Sequence, residues 1–104
     1  MLSNGYDPFD LMASTVTPRV IVAPMYRLNL LGFLANSTLA EPAEDPALGN
    51  YGFRDQRAAF EWTAANIARV VGDQVNVTAG GHSAGAYSAL LQLHYDMYCP
   101  PRNA

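Results

Sequence analysis

A chain of 104 residues has room for one domain and one core, not for two. Half of its residues are hydrophobic, 14% are charged and the formal net charge is −3, a balance that excludes a disordered chain. The six basic residues are all Arg and form no stripe for nucleic acid, no apolar run approaches the roughly 18 residues of a membrane span, and the single Cys99 excludes an internal disulfide or a thiolate metal set.

In chain order, residues 1–18 carry Gly5, Pro8 and Pro18 and show no sustained period, so they read as loop with one short helical turn near residues 9–13. The opening "MLSNGYDPFD" has no basic segment followed by an apolar one, and no signal peptide is read there. "VIVAPMY", residues 20–26, is a continuous β-branched and apolar run behind a proline, which predicts a strand buried between two layers of a parallel sheet. Pro24 weakens its second half. The stretch rich in Pro, Glu and Gly over residues 41–52 predicts a surface loop. Two tripeptides, Asn36-Ser37-Thr38 and Asn76-Val77-Thr78, match the N-glycosylation sequon, the second where it runs into a predicted strand.

"FRDQRAAFEWTAANIARVV", residues 53–71, lacks Gly and Pro and predicts a helix. Ala58, Ala59, Trp62, Ala65 and Arg69 fall at helical spacing, with Trp62 on the face expected to pack on the sheet, and Gly72 is the expected C-cap. "QVNVTAGG", residues 74–81, predicts a second strand. Residues 84–97 predict a second helix, closed by Pro100 and Pro101. Strand, long loop, helix, strand, glycine-rich turn, helix is the order of a βαβ unit followed by the start of another, and the fold class it predicts is α/β.

The chemistry concentrates between the second strand and the second helix. Gly81-His82-Ser83-Ala84-Gly85 has the G-x-S-x-G form of a nucleophile elbow. Small residues are needed there because the chain reverses within a few residues, and Gly81 and Gly85 flank the serine where side chains would collide with neighbouring elements. The turn lifts the Ser83 hydroxyl clear, and the following helix aims free N–H groups and its positive end at the same spot, so the Ala84 N–H is a candidate oxyanion donor. Without that chemistry the pentapeptide is a plain glycine-serine turn. A phosphate-cradling loop fails, since the glycines do not make G-x-G-x-x-G and there is no Lys for a P-loop.

A serine nucleophile needs a base and an acid. His94 lies roughly 16 Å along the same predicted helix at 1.5 Å per residue, and His82 should diverge from its neighbour on so sharp a turn. After Ser83 the one acid is Asp96 and the one histidine is His94, the reverse of the serine, acid, histidine order of α/β-hydrolases. The triad is not complete in these residues.

Several linked motifs extend the pattern. "VIVAPMYRLNLLGFLA" and "LGNYGFRDQRAAFEWTAANIARVVGDQVNVTAGGHSAGAYSALLQLHYDMY" are similar to the type-B carboxylesterase (cholinesterase-like) family of α/β-hydrolases, most closely in look to fungal members, over residues 20–98. The resemblance implies a partial α/β-hydrolase domain over residues 1–104: a βαβ unit plus the nucleophile elbow and its helix. It lacks the family's upstream oxyanion loop and its downstream acid and histidine. It implies Ser83 as nucleophile, Ala84 as oxyanion donor, Gly81 and Gly85 as elbow glycines, and Arg27 and Asp55 as a structural ion pair. The substrate class it implies is a small carboxylic ester, with no cofactor and no metal. Met25, the turn Val71-Gly72-Asp73-Gln74 and His82 depart from the family's usual Asn, Gly-Gly-Asp-Pro and Glu. The expectation is a nucleophile-bearing segment of a serine ester hydrolase, inactive as an isolated chain. The alternatives are a non-catalytic cholinesterase-like adhesion or binding module and a degenerate gene fragment.

Overall fold

A computed structural model describes residues 7–36 and 49–98. The expectations for residues 1–6 and 41–48, for Cys99 and for Pro100 and Pro101 lie outside the described residues.

Among the described residues four α-helices follow one another. The first, α1 (Pro8–Ala13), is the short turn expected near its position: Pro8 opens it, and the Asp7 carboxylate caps it by accepting from the Phe9 N–H at 2.9 Å. The second, α2 (Asn29–Phe33), is a five-residue turn that periodicity did not announce. It starts at Asn29 with a left-handed φ of 52°, a conformation asparagine adopts more readily than most residues. Its Gly32 is buried, because a side chain there would land on the Arg27 carbonyl.

The long helix α3 (Tyr51–Asn66) passes into a 3₁₀ turn over Ile67–Val70 and begins two residues before the expected start. Its buried positions are Gly52, Gln56 and Thr63, with Ile67 continuing the row, a stripe at helical spacing built largely from small and polar residues. The face carrying Trp62, expected to pack on the sheet, is another one. Trp62 is 55% exposed, and Ala58, Ala65 and Arg69 are exposed with it. Periodicity found the helix but not this stripe, because Gly, Gln and Thr carry no hydropathy signal, and the face of Trp62 has no sheet to pack on among the described residues.

The end of α3 also departs from expectation. Val71 occupies the left-handed cap position, with φ 66°. The Gly72 N–H reaches back to the Ile67 carbonyl at 2.9 Å and the Val71 N–H to Ala68, the paired bonds of a Schellman ending. Gly72 is therefore one residue past the cap, held small because a Cβ would strike the Ile67 side chain. Gln74 then folds back, its amide donating to the Ala64 carbonyl at 2.9 Å.

The predicted strands are the main correction. Among the described residues there is no strand: residues 20–26 and 74–81 run outside any helix without a pairing ladder. Val20 is 47% exposed and Val77 52%, and Met25 and Val75 are open to solvent. The residue types are those of buried strands, but a strand exists only where a neighbour takes its N–H and C=O groups, and these two segments do not pair with each other. The fourth helix, α4 (Ala84–Tyr98), runs where expected. Ile67 is the buried large hydrophobic side chain among the described residues, beside the polar Gln56, Thr63 and Gln92.

Candidate active site

The turn into α4 is set by two backbone facts. Gly81 lies so close to the first turn of the helix that a Cβ would run into the Gly85 carbonyl and sit 2.7 Å from the Ala86 nitrogen. Ser83 holds φ at 52°, in the left-handed region that costs a residue with a side chain roughly 1–2 kcal/mol. The turn is closed by the Gly85 N–H donating to the His82 carbonyl at 2.9 Å, and the Tyr87 N–H donating to the Ser83 carbonyl at 3.1 Å. Ala84 is the first residue of a fifteen-residue helix, where backbone N–H groups have no intrahelical acceptor and the helix dipole is positive. Ser83 and Ala84 are both exposed. A Cβ on Gly85, in contrast, would meet nothing within 4 Å. The need for glycine is thus visible at Gly81 and not at Gly85.

His82 and His94 are both exposed, the first beside the serine and the second three turns along α4. Beside Ala84 opens an apolar hollow of about 410 Å³, walled by Tyr26, Phe33, Phe53, Tyr87 and Leu91. Phe33 and Phe53 meet edge to face in it, with centroids 5.2 Å apart.

Two amide side chains join α4 to α3. Gln56 Nε2 donates to Ser88 Oγ at 3.2 Å, and Gln92 Nε2 donates to the Phe53 carbonyl at 2.8 Å. Sequence reasoning passed over all three side chains. The signal was there in Gln56 and Thr63 falling seven residues apart on one helical face, but hydropathy does not weight amides.

Arg27 and Asp55 are brought together. The Arg27 guanidinium grips the carboxylate with two bonds, Nε to Oδ2 at 2.8 Å and Nη2 to Oδ1 at 2.7 Å, and the Arg27 backbone N–H adds a third to Oδ2 at 3.0 Å. The guanidinium also lies over the Tyr51 ring at 5.4 Å. These bonds from Arg27, side chain first and then backbone, hold the Asp55 pKa down at about 2, and the same pairing raises that of Arg27. Gly52 completes the knot, since a Cβ there would press on Phe33 and lie 2.6 Å from the Arg27 carbonyl oxygen.

A serine on a strained turn at a helix N-terminus, following a glycine that admits no side chain, has the local geometry of a hydrolase elbow. Residues 1–98 match the sequence model described as the carboxylesterase family, and the chain belongs to that family. Over 98 residues it is 48% identical to an uncharacterized esterase/lipase of Schizosaccharomyces pombe, covering 93% of this chain and 18% of that one. It is 44% identical over 97 residues to a carboxylic ester hydrolase of Gibberella moniliformis, covering 91% and 18%, and 40% identical over 91 residues to secreted lipase 4 of Gibberella zeae, covering 88% and 15%. The chain thus spans less than a fifth of the length of these relatives. No solved structure matches it. Membership implies the α/β-hydrolase fold, of which the described residues form the helical elements and none of the sheet. No helix among them is long and apolar enough to cross a membrane.

Proposed function

We propose that this chain carries the nucleophile of a serine carboxylic-ester hydrolase. Ser83 Oγ attacks the ester carbonyl carbon while its proton passes to a histidine base oriented by an acid. The tetrahedral oxyanion is met by the Ala84 N–H and by a second donor. The alcohol then leaves with that proton, and water, activated by the same histidine, releases the acyl group as a carboxylate. Residues 1–104 supply the nucleophile and one oxyanion donor; the base, the acid and the second donor come from elsewhere in the intact enzyme. The isolated 104 residues are inactive.

The observation that carries this reading is the left-handed Ser83, φ 52°, at the N-terminus of α4. A turn without chemistry gains nothing from placing a serine there, and backbone strain of this kind clusters at functional sites. It also weighs against the non-catalytic module. The relatives support the reaction class by their names, as esterase/lipase, carboxylic ester hydrolase and secreted lipase.

The test is fluorophosphonate labelling of a native extract, with mass spectrometry of the peptide that contains Ser83. The expected result is a tag on Ser83 in a protein several times heavier than 11.3 kDa. An untagged Ser83 in a folded, abundant protein overturns the catalytic reading. A tag on an 11.3 kDa chain overturns its incompleteness instead.

A further inference from the structure

We propose that Gln56 is a positioning residue for Ser83, acting through Ser88; the inference rests on Ser83 being the nucleophile. Two amide bonds fix how α4 sits on α3. Gln92 reaches the Phe53 carbonyl and Gln56 reaches the Ser88 hydroxyl, so ascending positions on α3 meet descending positions on α4 and the two helices run antiparallel. The two bonds engage α4 at Ser88 and Gln92, four residues apart on one face, and α3 at the Gln56 side chain and the Phe53 backbone oxygen. Together they set both the axial slide and the rotation of the helix. Ser88 is five residues from Ser83, about 7.5 Å along the axis, so a displacement at Ser88 is carried to the elbow by a rigid helix. The fixed end of the device is α3 itself, anchored one residue before Gln56 by the three bonds from Arg27 to Asp55.

The character of Gln56 separates this role from plain packing. Its side chain is 6% exposed, and its carbonyl oxygen Oε1 has no hydrogen-bond partner among the described residues. A buried acceptor without a donor is costly, and a methionine of similar length would carry no such cost. The amide therefore gives little net stability at this site. It gives direction, through the single N–H bond to Ser88. Catalysis depends steeply on such alignment, since a shift of about 1 Å in a reacting group can cost on the order of 10²-fold in rate.

The test compares Gln56→Met, Ser88→Ala and the double variant in the intact protein. The inactivation rate constant and the affinity constant for a fluorophosphonate are read separately, alongside the melting temperature. The expected result is an inactivation rate about ten-fold lower in all three, with affinity for the reagent unchanged and the double variant no slower than either single one. Stability should not follow the rate. Gln56→Met should melt no lower than the natural protein, Ser88→Ala should melt lower because it strands the Gln56 N–H, and the double variant should recover. A Gln56→Met protein that is labelled at the natural rate overturns the positioning role, as does a loss of rate that tracks the melting temperature across the set. If Ser83→Ala is labelled as fast as the natural protein, the reading of Ser83 fails instead.

Discussion

The Arg27–Asp55 knot and the Ser83 elbow are both built on tight glycines, yet only the knot finds its partners within the described residues. Around Arg27, three hydrogen bonds, the Tyr51 ring and the close approaches at Gly32 and Gly52 all join residues of this chain. Around Ser83, the backbone turn is formed but its flanks stand open. Gly80 and Gly85 face empty space, and Tyr87 and Leu90 are 67% and 60% exposed. The knot depends on contacts between a loop and the helix that follows it. In the α/β-hydrolase fold that family membership implies, such an elbow rests on a sheet, and a sheet needs strands from distant parts of a sequence. The difference shows that the shape of the Ser83 turn is written locally, in Gly81 and Ser83, while its support is not.

The sharpest way to break that comparison is at Gly81. In Gly81→Ala the new Cβ runs into the Gly85 carbonyl, backbone that cannot yield without moving the start of α4. The expected loss is on the order of 10²-fold in the rate at which a fluorophosphonate tags Ser83 in the intact protein. Gly85→Ala meets nothing within the described residues, so it measures what the rest of the protein places there. If Gly81→Ala labels normally, the turn is not locally determined and the contrast collapses.

Much of this was legible beforehand, for reasons that follow the same division. The elbow, α3 and α4 were visible because each is encoded in contiguous residues: glycines about a serine, and a long stretch free of Gly and Pro. The pairing of Arg27 with Asp55 followed from resemblance; spacing alone does not join residues 28 positions apart. The sheet expected from residues 20–26 and 74–81 is implied by family membership but is not formed among the described residues, because β-branched residues report a preference for pairing and not the presence of a partner. The buried stripe of α3 was missed because Gly52, Gln56 and Thr63 are read as polar or neutral, although these residues allow the close approach and the hydrogen bonds that hold the neighbouring elements. Gln56 and Ser88 were overlooked for the same reason.

A gentler perturbation addresses the knot. The Asp55 carboxyl is held at about 2, below its ordinary 3.8, so the folded state favours the ionised form. The stability this contributes is fully present above the ordinary carboxyl pKa and is lost as pH falls through about 2. Denaturation midpoints of the natural intact protein and of Asp55→Asn should therefore differ at pH 6, and the gap should narrow steadily below about pH 4. A gap that stays constant down to pH 2 would mean that the carboxylate charge plays no part, and the knot would then be a matter of shape alone.

The smallest effect lies where the chain leaves α3. Val71 holds φ at 66° with its side chain 95% exposed, so the β-branched side chain bears the left-handed conformation with no packing to offset it. Glycine adopts this conformation without that steric cost, but it brings a larger loss of backbone freedom on folding, about 0.5–1 kcal/mol. Set against roughly 1–2 kcal/mol for the strain, Val71→Gly should stabilise the intact protein by about 0.5–1 kcal/mol. That is a rise of a few degrees at most in melting temperature, smaller as the protein is longer. The neighbouring position should respond in the opposite sense, because a Cβ at Gly72 meets the side chain of Ile67, a buried hydrophobic position. Opposite signs at adjacent residues would locate the cap at 71. Destabilisation by both changes would move the left-handed residue to Gly72, the expected C-cap.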